Sequence, residues 1–162
     1  MLVVDAGPLI NLGTLDLLQV LLAMDPDVVV PPAVWREVVE DGGGRPGAAA
    51  VAALADQLRR VAPLGVRPIE GLGAGETEVL AVALELEDAT VVLDDGRARR
   101  AAREAGLHVV GTLGLLALAK QHGHLSEVRP HVVRLLETNW WFGRRLLDAF
   151  LEGQGEEMLG PE

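Results

Sequence analysis

Short apolar runs alternate with longer helix-patterned stretches along most of this chain. Residues 2–4 (LVV), 28–30 (VVV), 91–93 (VVL) and 108–110 (HVV) are each followed by Asp, Pro or Gly, and each predicts a short strand. Between them lie PLINLGTLDLLQVLLA (8–23), AVWREVVED (33–41), an alanine-rich stretch at 48–60 and GETEVLAVALELE (75–87), followed by an Arg-rich segment at 97–105 and TLGLLALAKQHG (112–123). All of these predict helices. Pro8 suits the first helical position, Pro31 and Pro32 lead into the helix at 33–41, and the glycines at 42–44 suit a stop. The helix at 75–87 is apolar on nearly every side past its first turn, which places it in the middle of the protein. GGGRPG (42–47) reads as a loop, 61–72 resists assignment, 126–152 adds two more helices, and the tail GQGEEMLGPE (153–162) reads as frayed.

Continuous apolar strands alternating with helices indicate an α/β fold with a parallel sheet covered on both faces. The carboxyl ends of such strands share one edge, where ligands bind. Asp5 and Asp94 both follow their strands, so they fall on one rim although nearly the whole intervening chain separates them. A turn or a helix cap is the local alternative for each. Glu37 falls inside the apolar stripe of Ala33, Val34 and Val38, which predicts a carboxylate at least half buried. Glu76 and Glu78 stand two apart, roughly 200° around a helix, so one faces the site and the other caps the helix start.

Composition narrows the chemistry. The chain has 162 residues, enough for one domain with a core of its own. It contains no cysteine, so any metal binds oxygen or imidazole. The histidines at 108, 122, 124 and 131 share no spacing with the acidic set. A net charge of −10 has the wrong sign for a broad nucleic-acid-binding surface. Basic residues are nevertheless concentrated in GRARRAAR (96–103) and at Arg144 and Arg145. The N-terminus lacks a signal-peptide pattern and no window reaches the roughly 18 apolar residues of a membrane span, so a cytoplasmic protein is expected.

VVDAGPLINL, VPPAVWREV, GAGETEVLAVALE and VVLDDGRARRAAREAGLHVVGTLGLLALAKQHG, in this order and spacing, resemble PIN-domain proteins, in particular the prokaryotic subgroup of VapC-like toxin ribonucleases. The resemblance covers residues 1–124, with 125–152 as a helical extension of the same domain. It implies a three-layer α/β/α sandwich with a central parallel sheet of four to five strands. It also implies an acidic cluster that binds Mg²⁺ or Mn²⁺ and hydrolyses phosphodiester bonds of single-stranded or structured RNA, with an antitoxin protein as partner. Carried over, Asp5 matches the first-strand aspartate, Glu37 the second-helix glutamate, and Asp94 or Asp95 the aspartate after the later strand. Asp94 is favoured because it follows the strand directly, with Asp95 as second choice or outer partner. Many members have an aspartate where this chain offers Glu76 and Glu78, and the helix pattern favours Glu78. Arg97, Arg99, Arg100 and Arg103 would grip RNA phosphates, a solvated helix face being the alternative. Trp140, Trp141 and Phe142 suit helix packing or a homo-oligomer contact, with stacking on RNA bases as the lesser alternative.

Two other functions compete with a ribonuclease. A degenerate PIN-like domain would serve as a protein-binding scaffold. A receiver-like domain also places aspartates around Mg²⁺, but strand one here offers a single Asp, and the only lysine, Lys120, lies deep in a helix. Crowded carboxylates repel, so neutralising Asp94 is expected to stabilise the metal-free protein.

Overall fold

Five strands form one parallel sheet in the computed structural model, which describes residues 1–138 and 142–160. Trp140 and Trp141 lie outside the described residues. The strands are β1 (Leu2–Val4), β2 (Val28–Val30), β3 (Arg59–Arg60), β4 (Thr90–Val92) and β5 (His108–Val110), in the order β3-β2-β1-β4-β5. Val3, Val4, Val28, Val29, Val30, Val91 and Val92 are fully buried, as β-branched residues of a sheet covered on both faces should be. The chain winds outward from β1 through β2 and β3, then restarts on the other side of β1 with β4 and β5. The strand order therefore reverses between β1 and β4, the place where open α/β sheets bind ligands. Register carries Asp5 and Asp94 to this point: Val4 pairs with Val92, and the Asp5 amide donates to the Val92 carbonyl at 3.1 Å.

The α/β class and the four apolar strands follow the hydrophobic pattern, whereas β3 does not. Its two residues are exposed arginines held by side-chain chemistry. Arg59 forms a two-pronged ion pair with Asp27, at 2.8 and 3.0 Å, and Arg60 lies over the Trp35 ring, 4.6 Å from its centroid. The stretch 48–60 is accordingly not one helix but α4 (Ala48–Ala53), a 3₁₀ turn (Ala55–Gln57) and this edge strand.

The stretch 8–23 is also divided, into α1 (Ala6–Thr14) and α2 (Leu18–Met24), bent by 115°. Asp16 takes a left-handed conformation (φ 61°), its amide donates to Gly13 and the Leu17 amide to Leu12. That is a Schellman ending with Asp in the position glycine usually fills. Among the described residues no single helix is long and apolar enough to cross a membrane. The stretch after β2 forms α3 (Pro32–Trp35) and then widens into a single π-helical turn, Arg36–Glu40.

In α5 (Ala74–Glu85), Gly75, Thr77, Val79, Leu80, Val82 and Ala83 are buried. Leu84 is 58% exposed, so the expected burial holds for one broad face only. Residues 61–73 before it contain neither helix nor strand, and α6 (Gly96–Glu104) links β4 to β5.

The chain divides into two compact units, Met1–Thr112 and Leu113–Glu162. The second contains most of α7 (Thr112–Gln121), with α8 (Arg129–Glu137) and α9 (Arg144–Gly153). Its last residues, expected to be frayed, are tied down as far as Leu159. Glu156 accepts from Lys120 at 2.6 Å and from the Val128 and Arg129 amides at the start of α8, while the Leu159 amide donates to Asp148.

Candidate active site

Asp5 follows β1 at the reversal of strand order and stands just before α1. Only 8% of it is exposed, and its side chain makes no capping hydrogen bond to the helix it precedes. Burial raises its pKa to about 7; the Ala6 amide acts the other way, and the charges of Glu76, Glu37 and Asp94 add to the rise. Those three carboxylates therefore lie close enough to repel it.

Gly75, in the first turn of α5, fits tightly between two of these groups. A methyl group added there would lie 3.3 Å from Asp5 Oδ1 and 3.4 Å from Glu37 Oε2. Asp5 and Glu37 thus face the same small backbone surface, and a residue without a side chain leaves that space open. Glu37 arrives on the π-helical turn, a local widening of the helix frequent at functional sites. It is exposed, not half buried as the stripe predicts: Val38 faces the core, and the carboxylate reaches toward Gly75 from the solvent side.

Asp94 occupies the other side of the reversal and is braced. Its Oδ1 accepts from the Thr112 amide at 2.7 Å, and its Oδ2 from Thr112 Oγ1 at 2.5 Å and Asn11 Nδ2 at 3.1 Å. Asn11 also donates to Thr112 Oγ1 at 3.1 Å. Burial pushes the Asp94 pKa up, while the Thr112 bonds, the Arg99 charge and Asn11 pull it back. Three donors aimed at one carboxylate make its truncation a different matter from its neutralisation, because losing the acceptor strands buried donors. Asn11 and Thr112, both buried, were not picked out from sequence. The signal available was a polar residue within each of the apolar stretches LINL and VVGTLGLL.

The adjacent Asp95 has a different use. It is exposed and caps α6, its Oδ1 accepting from the Arg97 and Ala98 amides at 2.8 and 3.0 Å. Glu76 and Glu78 of α5 accept cap bonds as well. Glu76 Oε2 takes the Gly73 amide at 2.8 Å, closing the start of its own helix, while Glu78 Oε2 takes the Ala33 amide of α3 at 2.8 Å. Of the two, Glu76 is the one whose charge bears on Asp5. Glu78, favoured by the helix pattern, joins α5 to α3.

The four arginines of α6 separate. Ala98 and Ala102 turn inward. Arg99 leans toward Asp94 over Gly111, where an added methyl would meet Arg99 Nη1 at 2.7 Å and Asp94 Oδ1 at 2.9 Å. Arg97 and Arg100 line a groove of about 680 Å³ together with Ile69, Glu70, Leu72 and Glu104. Arg103 lies outside that lining, in the last turn of α6.

The donor set suits a hard divalent cation, since every charged group raising the Asp5 pKa is a carboxylate. Among the described residues, no three His, Asp or Glu side chains are gathered closely enough to hold an ion as they stand. The chemistry fits, and the electrostatic strain on Asp5 is of the kind a cation relieves.

A family model described as a PIN domain (DUF3368) matches residues 1–156. Among solved structures, the chain is similar to a PilT N-terminus domain protein from the hyperthermophilic archaeon Sulfolobus solfataricus. The TM-score is 0.56 at 20% identity, over 77% of this chain and 98% of that one. No curated protein matches the sequence.

Proposed function

Because the chain belongs to the PIN-domain family, whose members are generally nucleases, we propose that it is an Mg²⁺- or Mn²⁺-dependent endoribonuclease with Asp5 at the centre of its site. The observation that carries this reading is the Asp5 carboxylate, buried at the reversal of strand order, facing Glu37 across Gly75 and repelled by Glu76 and Asp94. Asp5, Glu37 and Glu76 are the residues that would hold the ion, with Asp94 behind them. A bound divalent cation supplies a water of lowered pKa and neutralises charge developing on the phosphate.

The protein's own groups do the rest. Thr112 and Asn11 fix the Asp94 carboxylate in one orientation, and Arg99 offers a guanidinium beside it for a phosphate oxygen. Gly75 keeps the floor between Asp5 and Glu37 clear. Glu78 secures α5 to α3 and so helps hold Glu76, on α5, in place relative to Glu37, on the π-helical turn that follows α3.

The substrate class is RNA, and the cellular role is that of a cytoplasmic toxin paired with an antitoxin; sequence resemblance supports both. A second reading, a degenerate scaffold, draws on the absence of three gathered carboxylates among the described residues. One assay separates the two: cleavage of an end-labelled single-stranded RNA with Mn²⁺, with chelator, and by Asp5→Asn. The nuclease cuts only with metal, and Asp5→Asn falls at least 10²-fold with its fold retained. Cleavage that survives both chelator and Asp5→Asn, or no cleavage by wild type under any of several divalent ions, overturns the proposal.

A further inference from the structure

Beyond the carboxylates, α6 faces a groove of about 680 Å³ whose opposite wall is the loop of residues 69–72. Asp95 and Gly96 stand at its edge, immediately after Asp94 in sequence, so the groove begins beside the candidate site. Three observations bear on its occupant. First, Arg97 and Arg100 project into it three positions apart, on one side of α6, while Ala98 and Ala102 anchor the other side. Second, neither guanidinium makes an ion pair within 4 Å among the described residues, although Glu70, Glu104 and Asp95 also line the groove. Asp95 is occupied with backbone amides. Third, the loop wall presents the apolar Ile69 and Leu72, with Ile69 38% exposed. The wall's backbone also approaches Arg97: at Gly71, with φ +81°, an added methyl would lie 3.4 Å from Arg97 Nη1.

We infer that this groove carries the RNA strand away from the candidate site, with Arg97 and Arg100 holding successive backbone phosphates and Ile69 and Leu72 receiving the bases. The inference rests on the nuclease reading above. Uncommitted guanidinium donors match phosphate oxygens, and an apolar wall opposite them suits unstacked bases, the combination by which single strands are held. Glu70 and Glu104 keep phosphates on the arginine side, so the strand has one register and not a diffuse hold. On so acidic a chain, these two arginines would account for a large part of the affinity.

The test uses the full chain, a fluorescent 12-nucleotide single-stranded RNA and Arg97→Gln/Arg100→Gln, with Arg103→Gln as control. Cleavage by wild type with Mn²⁺ is read first. If wild type neither cuts nor binds RNA, the nuclease reading fails and takes the groove with it. Where wild type cuts, binding is measured in chelator from 50 to 200 mM salt. Each lost phosphate contact lowers the single-strand salt slope by about 0.7, so wild type should lose roughly sevenfold more affinity than the double variant across that range. The double variant should also show a raised KM with kcat unchanged and a melting temperature equal to wild type, while Arg103→Gln matches wild type throughout. Equal salt slopes for wild type and the double variant overturn the groove while leaving the nuclease standing. So does an Arg103→Gln loss as large as that of the pair.

Discussion

Asp5 and Asp94 stand at the ends of neighbouring parallel strands, on either side of the point where the strand order reverses, and burial raises the pKa of both. Their surroundings differ. Asp94 receives three hydrogen bonds, from the Thr112 amide, the Thr112 hydroxyl and Asn11, with the Arg99 charge beside them. Asp5 faces Glu37 across Gly75, feels Glu76 and Asp94, and has only the Ala6 amide acting in its favour. One carboxylate is a brace that ties β4 to the start of α7 and to α1. The other is held in an unfavourable charged state that a proton or a cation would relieve. Two aspartates that look equivalent in sequence thus differ, one braced by donors and one strained by like charge, and the proposed function gives the strained one the reacting role, as functional sites often hold one group at a cost to stability.

The largest consequence is a pH dependence of the metal-free protein. Asp5 has an ordinary pKa of 3.8 and a folded value of about 7, so between these the folded chain binds the extra proton. Stability should therefore fall as pH rises from about 4 to about 7 and level off above, by up to about 4 kcal/mol. Burial of Asp94 acts in the same direction. Urea unfolding in chelator at pH 5 and pH 8 checks this, with the lower midpoint expected at pH 8. A midpoint that rises between them would mean Asp5 is not strained.

Next in size is the brace. Asp94→Ala strands the Thr112 amide, the Thr112 hydroxyl and the Asn11 amide, and should cost about 2–3 kcal/mol in the same unfolding experiment. Thr112→Val removes the hydroxyl but keeps the amide bond, and should cost about 1–2 kcal/mol. The smallest effect belongs to Glu78→Ala, which removes an acceptor at the start of α3 for about 1 kcal/mol. Under the assignment made here it leaves Mn²⁺ binding, followed by calorimetry, within a few-fold of wild type, whereas Glu76→Ala weakens binding at least tenfold. Equal losses would place both glutamates on the ion.

Much of this is legible in the amino-acid sequence alone. Four strands stand out because valine-rich runs of three end at Asp, Pro or Gly, and the shared rim of Asp5 and Asp94 follows from a parallel sheet. What escaped has physical reasons. β3 consists of two exposed arginines, so no apolar pattern marks it. The break after Thr14 depends on Asp16 accepting a left-handed conformation, which the unbroken apolar pattern around it conceals. That the Glu76 charge bears on Asp5 while Glu78 accepts the Ala33 amide of another helix depends on tertiary contacts, and helical spacing does not carry that information. Asn11 and Thr112 escaped because their role is to another side chain, made visible only when residues distant in sequence meet.

The contrast between the two aspartates is tested most directly by three melts at pH 7.5 in chelator and at fixed ionic strength, so that screening is equal in all of them. Wild type, Asp5→Ala and Asp94→Ala are compared. Removing a strained carboxylate should raise the melting temperature, and removing a brace should lower it, so the two variants should move to opposite sides of wild type. If Asp5→Ala melts below wild type, or Asp94→Ala above it, the division of roles between the two strand ends is wrong.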